Sequence, residues 1–262
     1  MSAYGKITRS NRDNSLLLGT TLWLARTSTP QQSHGGSDSS STPIAQRSSS
    51  YVSIHHLTLE SALGFVGLVE FLHETFAQVV EEGFTYPQEG NLTRDAFESY
   101  FFAGDVFVAI IGNEPQIVLG GGLSSDVTDG KAHEVGLAAA QNGRQWVDCV
   151  AGFYYVKPNY PGRSSHICNA GFVVPPHYRG RNFGSALARS YVHYAPKLGY
   201  KASVFNLVYV NNTASVRLWE RLGFTKAGLI PRAGRLRRPD GNGEHYVDAH
   251  VFYKSFVEDS EY

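Results

Sequence analysis

Residues 176–187 read PHYRGRNFGSAL and put two arginines and two glycines where a helical pattern begins. The amides of a helix's first turn are unpaired and lie at the positive end of its dipole, so a loop that turns into a helix can hold phosphate oxygens. Gly180 and Gly184 let a ligand approach the backbone without meeting a Cβ. Arg179 and Arg181 can add charge-assisted bonds, and Ser185 a hydroxyl. A surface turn rich in arginine and glycine would explain the same residues taken alone. A second glycine run, 120–122, has no helical pattern after it and is not read as a nucleotide loop. Cys149 and Cys168 do not stand at metal-ligand spacing, and no metal is expected.

The elements that must position this loop follow from periodicity and punctuation. Residues 167–174 read as a strand ahead of it, and a helix is expected from about Asn182, with Phe183, Leu187, Tyr191 and Tyr194 on one face. Pro196 should bend its last turn and Gly199 end it. A strand at 201–208, a helix from about Asn212 to Leu222 closed by Gly223, and strands at 225–230 and 246–256 complete the C-terminal half. Upstream, the spacing predicts a strand at 51–58 and a core-facing helix carrying Phe65, Leu68, Val69, Leu72, Phe76, Val79 and Val80 and ending at Gly83. A shorter helix from Thr93 as N-cap to Phe102 comes next, then strands at 106–111, 117–119 and 146–156, with a loop over 120–144 and a turn at 157–162. Antiparallel pairing is the simplest arrangement for the strands before and after that turn. The order strand, phosphate-type loop, helix, strand, helix, strand predicts a mixed α/β domain with a right-handed crossover.

Length and composition bound the partners. At 262 residues and 42% hydrophobic content the chain can bury a sizeable core. Basic and acidic residues number 23 each, so no basic surplus points to nucleic acid or an anionic membrane surface. The apolar run at 16–25 is too short to span a bilayer. It follows Lys6, Arg9 and Arg12 in a serine-rich segment whose acids are Asp13 and Asp38, so a presequence and a degenerate first strand are both open readings. Residues 26–50 carry little to bury and read as a linker. The folded domain is therefore expected over 51–262, with 1–50 as a disordered or presequence-like segment. The expected location is cytoplasmic, with mitochondrial targeting the alternative that this segment leaves open.

Several motifs in order resemble one superfamily. Residues 179–186, RGRNFGSA, resemble the Q/R-x-x-G-x-G/A signature of the GNAT acyl-CoA N-acyltransferases. NTAS at 212–215 approximates the N-x-x-A pattern with its alanine one place early, and LWERLGF at 218–224 is similar to L-Y-E-K-L-G-F. Within that superfamily, residues 155–174, 195–215, 228–234 and 81–88 resemble the fungal proline-analogue N-acetyltransferases, which act on L-azetidine-2-carboxylate. The resemblance runs from about Leu63 to Phe256. It implies a GNAT fold, a mixed and mostly antiparallel central sheet flanked by helices, with acetyl-CoA as co-substrate. It further implies that Asn169 holds the amino acid substrate with the backbone amides of Asn206 and Leu207, and that Asn212 aims its amide at the thioester sulfur. Phe172 and Val174 would lie beside acetyl-CoA, and the loop from Arg179 to Ser185 would hold the pyrophosphate. Read from the residues alone, Asn212 suits an N-cap and Asn169 a satisfied core amide. Asn182 stands where the signature has glycine, which is tolerable if its φ is helical or left-handed.

A secondary amine like proline has a pKa near that of lysine, about 10.4, so reaching the neutral nucleophile at pH 7 costs roughly 4 kcal/mol. No carboxylate stands out in the matching motifs, and Trp219 occupies the place of a tyrosine that protonates the leaving thiolate in many relatives. His166 is the tempting base, although a structural or surface histidine explains it as well. Thr85 and Tyr86 could close the pocket. The expected function is direct acetyl transfer from acetyl-CoA to a small cyclic imino acid such as azetidine-2-carboxylate or pyrroline-5-carboxylate. The resemblance ties that activity to proline and arginine metabolism and to limiting oxidative stress. A GNAT acting on a protein lysine or other amine, and a non-catalytic acetyl-CoA-binding module, are the alternatives. The partner is a small amino or imino acid, and a homodimer is expected.

Overall fold

Hydrogen-bonded strands dominate the computed structural model, which describes residues 17–25, 48–112, 116–117 and 129–258. In chain order the strands are β1 (Thr21–Ala25), β2 (Ser48–Leu57), β3 (Asp105–Ile111), β4 (Gln116–Ile117), β5 (Lys131–Ala132), β6 (Val150–Pro158), β7 (Ile167–Val173), β8 (Ala202–Tyr209), β9 (Thr225–Arg237) and β10 (Glu244–Ser255). The helices are α1 (Leu59–Leu63), α2 (Leu68–Glu82), α3 (Arg94–Phe101), α4 (Leu137–Gln141), α5 (Trp146–Cys149), α6 (Phe183–Lys197) and α7 (Thr213–Arg221). The sheet order is β5-β1-β2-β3-β6-β7-β8-β10-β9, with β4 pairing β2. Every pairing is antiparallel except β7 with β8.

Two apolar layers sandwich the sheet. On β6, Tyr154 and Val156 pack with Tyr191 and Tyr194 of α6 and Trp219 of α7. Phe153 and Tyr155 point the other way, onto Leu72 and Phe76 of α2 and Phe97 and Phe101 of α3. This alternation is the period-two geometry of a strand buried on both faces.

Most expected elements are present, and the differences have local causes. Part of the 1–50 segment belongs to the sheet: Thr21–Ala25 is buried and pairs antiparallel with β2. The strand expected from Trp146 begins at Val150, because residues 146–149 form a helical turn in which Trp146 donates its indole N–H to the Val66 carbonyl at 2.8 Å. The loop expected over 120–144 contains β5 and α4 among its described residues. In the strand expected at 117–119, residues 118 and 119 lie outside the described residues. β9 runs past Ile230 to Arg237. Its Pro231 sits at a register shift on an edge strand, where the Arg232 amide donates to Asp248 Oδ1 at 2.8 Å, and proline is tolerated at such places.

Candidate active site

The parallel contact between β7 and β8 is short. It registers only Ile167 with Ala202 and Cys168 with Ser203, although β7 continues paired to β6 as far as Val173 and β8 to β10 as far as Tyr209. Beyond Cys168 and Ser203 the two strands diverge, and a cavity of about 280 Å³ occupies the opening. Asn169, Phe172, Asn206, Leu207 and Asn212 all line it. Its wall reaches both faces of the sheet: Asn212, Ser215 and Trp219 on the α7 side, and Tyr86, Tyr100 and Tyr155 on the α3 side. Thr85, expected with Tyr86 at the pocket, and Pro87 also line it.

On the α3 side three asparagines interlock. Asn159 Oδ1 accepts from Asn169 Nδ2 at 2.6 Å and from Asn206 Nδ2 at 2.7 Å, and Asn159 Nδ2 donates to Asn206 Oδ1 at 3.2 Å. The Asn159 amide donates to the Ile167 carbonyl at 2.8 Å, which pins the turn to β7. Asn169 Oδ1 is buried without a hydrogen-bond partner. Asn159 was not singled out from the sequence; its proline–asparagine turn carries no sign that it reaches β8.

The backbone at Asn206 and Leu207 is irregular. Val208 pairs with His250 and Phe205 with Phe252, so two residues of β8 stand opposite Val251 alone. Such a bulge leaves backbone polar groups out of the ladder and re-aims them. On β7, the Tyr86 hydroxyl donates to the Phe172 carbonyl at 3.1 Å. A strand residue's N–H and C=O lie on the same side, so the Phe172 amide also faces the opening. A Cβ at Gly171 would come within 2.8 Å of the Tyr86 hydroxyl oxygen, so this close approach requires glycine. Burial pushes the Tyr86 and Tyr155 phenols well above their ordinary pKa, so both stay protonated donors.

At α7, Asn212 Oδ1 accepts from the Ser215 amide at 3.2 Å, an N-cap that leaves the side-chain NH₂ available at the cavity wall. Trp219 donates its indole N–H to Ser215 Oγ at 3.0 Å and packs against Phe172 and Phe205. His166 does not line the cavity; its Nδ1 lies 3.1 Å from the Arg163 carbonyl.

Val174 and the loop from Arg179 to Ser185 lie outside the cavity lining, downstream of the end of β7. Asn182 is the residue before α6 and has φ 62°, the left-handed one of the two values expected to be tolerable there, and Gly180 has φ 75°. Among the described residues, the first amide here with a backbone acceptor is that of Ser185, bonded to the Asn182 carbonyl; those of residues 180–184 have none. A Cβ at Gly184 would meet only Val174 Cγ2, at 3.9 Å. Two side chains of the loop have partners within the chain that the sequence did not announce. Arg179 turns to Glu82 at 2.9 Å, and the Ser185 hydroxyl accepts from Arg189, which also pairs with Asp129 at 2.8 Å. Arg181 lies over the rings of Tyr178 and Phe183. Among the described residues no His/Cys/Asp/Glu cluster could hold a metal, and no helix is long and apolar enough to cross a membrane.

Residues 123–224 match the Acetyltransferase (GNAT) family. N-acetyltransferase aca1 of Schizosaccharomyces pombe is 40% identical over 177 residues, covering 68% of this chain and 75% of that protein. Two solved folds are similar. A GCN5-related N-acetyltransferase from Kribbella flavida has a TM-score of 0.53 at 24% identity, covering 77% of this chain and 97% of that one. A GNAT superfamily phosphinothricin acetyltransferase from Sinorhizobium meliloti in complex with AcCoA has a TM-score of 0.55 at 15% identity, covering 80% of this chain and 91% of that one. The chain therefore belongs to the GNAT family and is an acetyl-CoA-dependent N-acetyltransferase with the α/β fold of that family.

Proposed function

We propose that this enzyme transfers the acetyl group directly from acetyl-CoA to the ring nitrogen of a small cyclic imino acid, of the azetidine-2-carboxylate or pyrroline-5-carboxylate type. The observation that carries this reading is the linked asparagine set, Asn159, Asn169 and Asn206, beside a bulged strand in a cavity of about 280 Å³. Re-aimed amides at Asn206 and Leu207 suit a carboxylate, and the unpartnered Asn169 Oδ1 suits a substrate N–H. The small volume favours a free amino acid over a peptide.

Acetyl-CoA approaches from the α6 and α7 side in this reading. Its pyrophosphate takes the free amides at residues 180–184, its pantetheine arm runs past Val174, and its acetyl oxygen takes the Phe172 amide. Asn212 Nδ2 donates to the sulfur as thiolate develops. For a secondary amine of the azetidine type, the neutral ring nitrogen attacks the thioester carbonyl, the C–S bond breaks with coenzyme A leaving as thiolate, and the amine proton is lost to solvent through water. No histidine or carboxylate lines the cavity among the described residues, so no side-chain base is assigned. Holding both reactants in the opening supplies much of the acceleration by orientation.

Thiol release from acetyl-CoA tests the reading when purified protein is given azetidine-2-carboxylate, a lysine peptide or a polyamine. Turnover on the imino acid is expected. Turnover only on the peptide or polyamine would refute the substrate class, and acetyl-CoA binding without turnover on any would refute catalysis on it.

A further inference from the structure

We propose that Lys157 is the charge partner of the substrate carboxylate, a positioning residue that makes the cavity select anionic amines over neutral ones; this rests on the imino acid reading above. Lys157 is buried on β6, with Nζ donating to the Tyr100 carbonyl at 3.1 Å and lying 3.8 Å and 4.1 Å from the ring centroids of Tyr100 and Tyr155. Both rings line the cavity; Lys157 itself does not, so its charge acts through the wall that they form. In the β6–β7 register Lys157 stands directly opposite Asn169, so the two side chains share the α3 face.

What surrounds the ammonium is neutral. Tyr100 comes from α3, Tyr155 from β6, Tyr86 from the segment after α2, and Asn169 from β7. Burial raises the pKa of all three phenols. The acid nearest in the register, Asp105, begins β3 opposite Val156, which puts it on the other face, where it bonds His56 at 2.8 Å. Among the described residues no carboxylate pairs with Lys157. Two ring faces and one carbonyl partly stabilise a buried cation, but they supply no opposite charge. An anion entering the cavity does so, and with its carboxylate on the Asn206 and Leu207 amides, within reach of the Lys157 charge, its ring nitrogen is left beside Asn169 Oδ1, toward the opening. Desolvation lowers the ammonium's pKa to about 8, so it is still mostly charged at pH 7 and loses its charge above pH 8.

The test compares wild type with Lys157→Met, which keeps length and apolar packing. Expected are a KM for azetidine-2-carboxylate raised at least tenfold, a kcat within about threefold, an unchanged KM for acetyl-CoA, and loss of discrimination against azetidine-2-carboxamide. Equal effects on acid and amide, or a fall in kcat with KM kept, would overturn the proposal, the latter marking a proton acceptor. Wild type that fails to turn over azetidine-2-carboxylate refutes the imino acid reading instead. Tetrahydrofuran-2-carboxylate, a ring acid without a titratable amine, covers that case and a variant that does not fold. Its dissociation constant for wild type should rise about tenfold per pH unit above pH 8, while that of its carboxamide stays flat. A flat profile for the acid, or no binding of it, overturns the role of Lys157.

Discussion

Replacing Asn159 with alanine removes the hub of the asparagine set without touching a residue assigned to either co-substrate. Three hydrogen bonds disappear, at 2.6, 2.7 and 3.2 Å. Asn206 is exposed, so water can take over its two groups, whereas Asn169 is half-buried and its Oδ1 already lacks a partner. Leaving the Asn169 NH₂ unpaired as well costs about 1–3 kcal/mol. For a domain of this size that lowers Tm by roughly 2–4 °C per kcal/mol. The functional effect should be larger than the stability effect, because a freed Asn169 samples several rotamers and a misplacement of about 1 Å can cost on the order of a hundredfold. Steady-state kinetics with azetidine-2-carboxylate, read beside thermal unfolding, should give a KM raised roughly tenfold or more and an unchanged KM for acetyl-CoA. An Asn159→Ala enzyme with lowered Tm and wild-type KM for the imino acid would refute the idea that this network orients the substrate.

Gly184→Val should keep a wild-type Tm, since a Cβ there meets only Val174 at 3.9 Å, yet lose acetyl-CoA binding by calorimetry as the new side chain takes the phosphate's space. At the neighbouring left-handed position, Asn182→Gly should preserve acetyl-CoA affinity, whereas Asn182→Ala should cost about 1 kcal/mol of stability by denaturant unfolding. Asn212→Ala should lose about 1 kcal/mol with its N-cap and lower kcat about tenfold or more, while KM for both co-substrates stays within a factor of about three. Lys157 has a folded pKa of about 8, below its unfolded value, so the unfolded chain binds more protons between there and about pH 10.4. Wild-type stability should therefore contain a component that rises with pH across that window, and Lys157→Met should lack it.

The phosphate-type loop, the helices from Asn182 and Asn212 and the β7–loop–α6 order were legible because each is written locally, in glycines, caps and apolar spacing. That Asn182 would be helical or left-handed was legible for the same reason, since one residue in a glycine's place admits few backbone solutions; which of the two it adopts was not. What the sequence concealed is long-range. Asn159 meets Asn206 across 47 positions, and Lys157 finds its carbonyl acceptor on Tyr100 across 57, so no local pattern announces either contact. Residues 146–149 read as strand because Trp146, Val147 and Cys149 suit a buried strand, and the indole bond to Val66 that favours a helical turn is equally remote. The ion pair of Arg179 with Glu82, at the end of α2, was hidden for the same reason, since it comes from a distant part of the chain.

In the proposed mechanism both co-substrates meet in the opening between β7 and β8 and react without an acetyl-enzyme. Initial rates measured while acetyl-CoA and azetidine-2-carboxylate are both varied test this most directly. Double-reciprocal lines that intersect are predicted, with no acetylated protein detected by mass spectrometry in acetyl-CoA alone. Parallel lines with a stable acetyl-enzyme would contradict it.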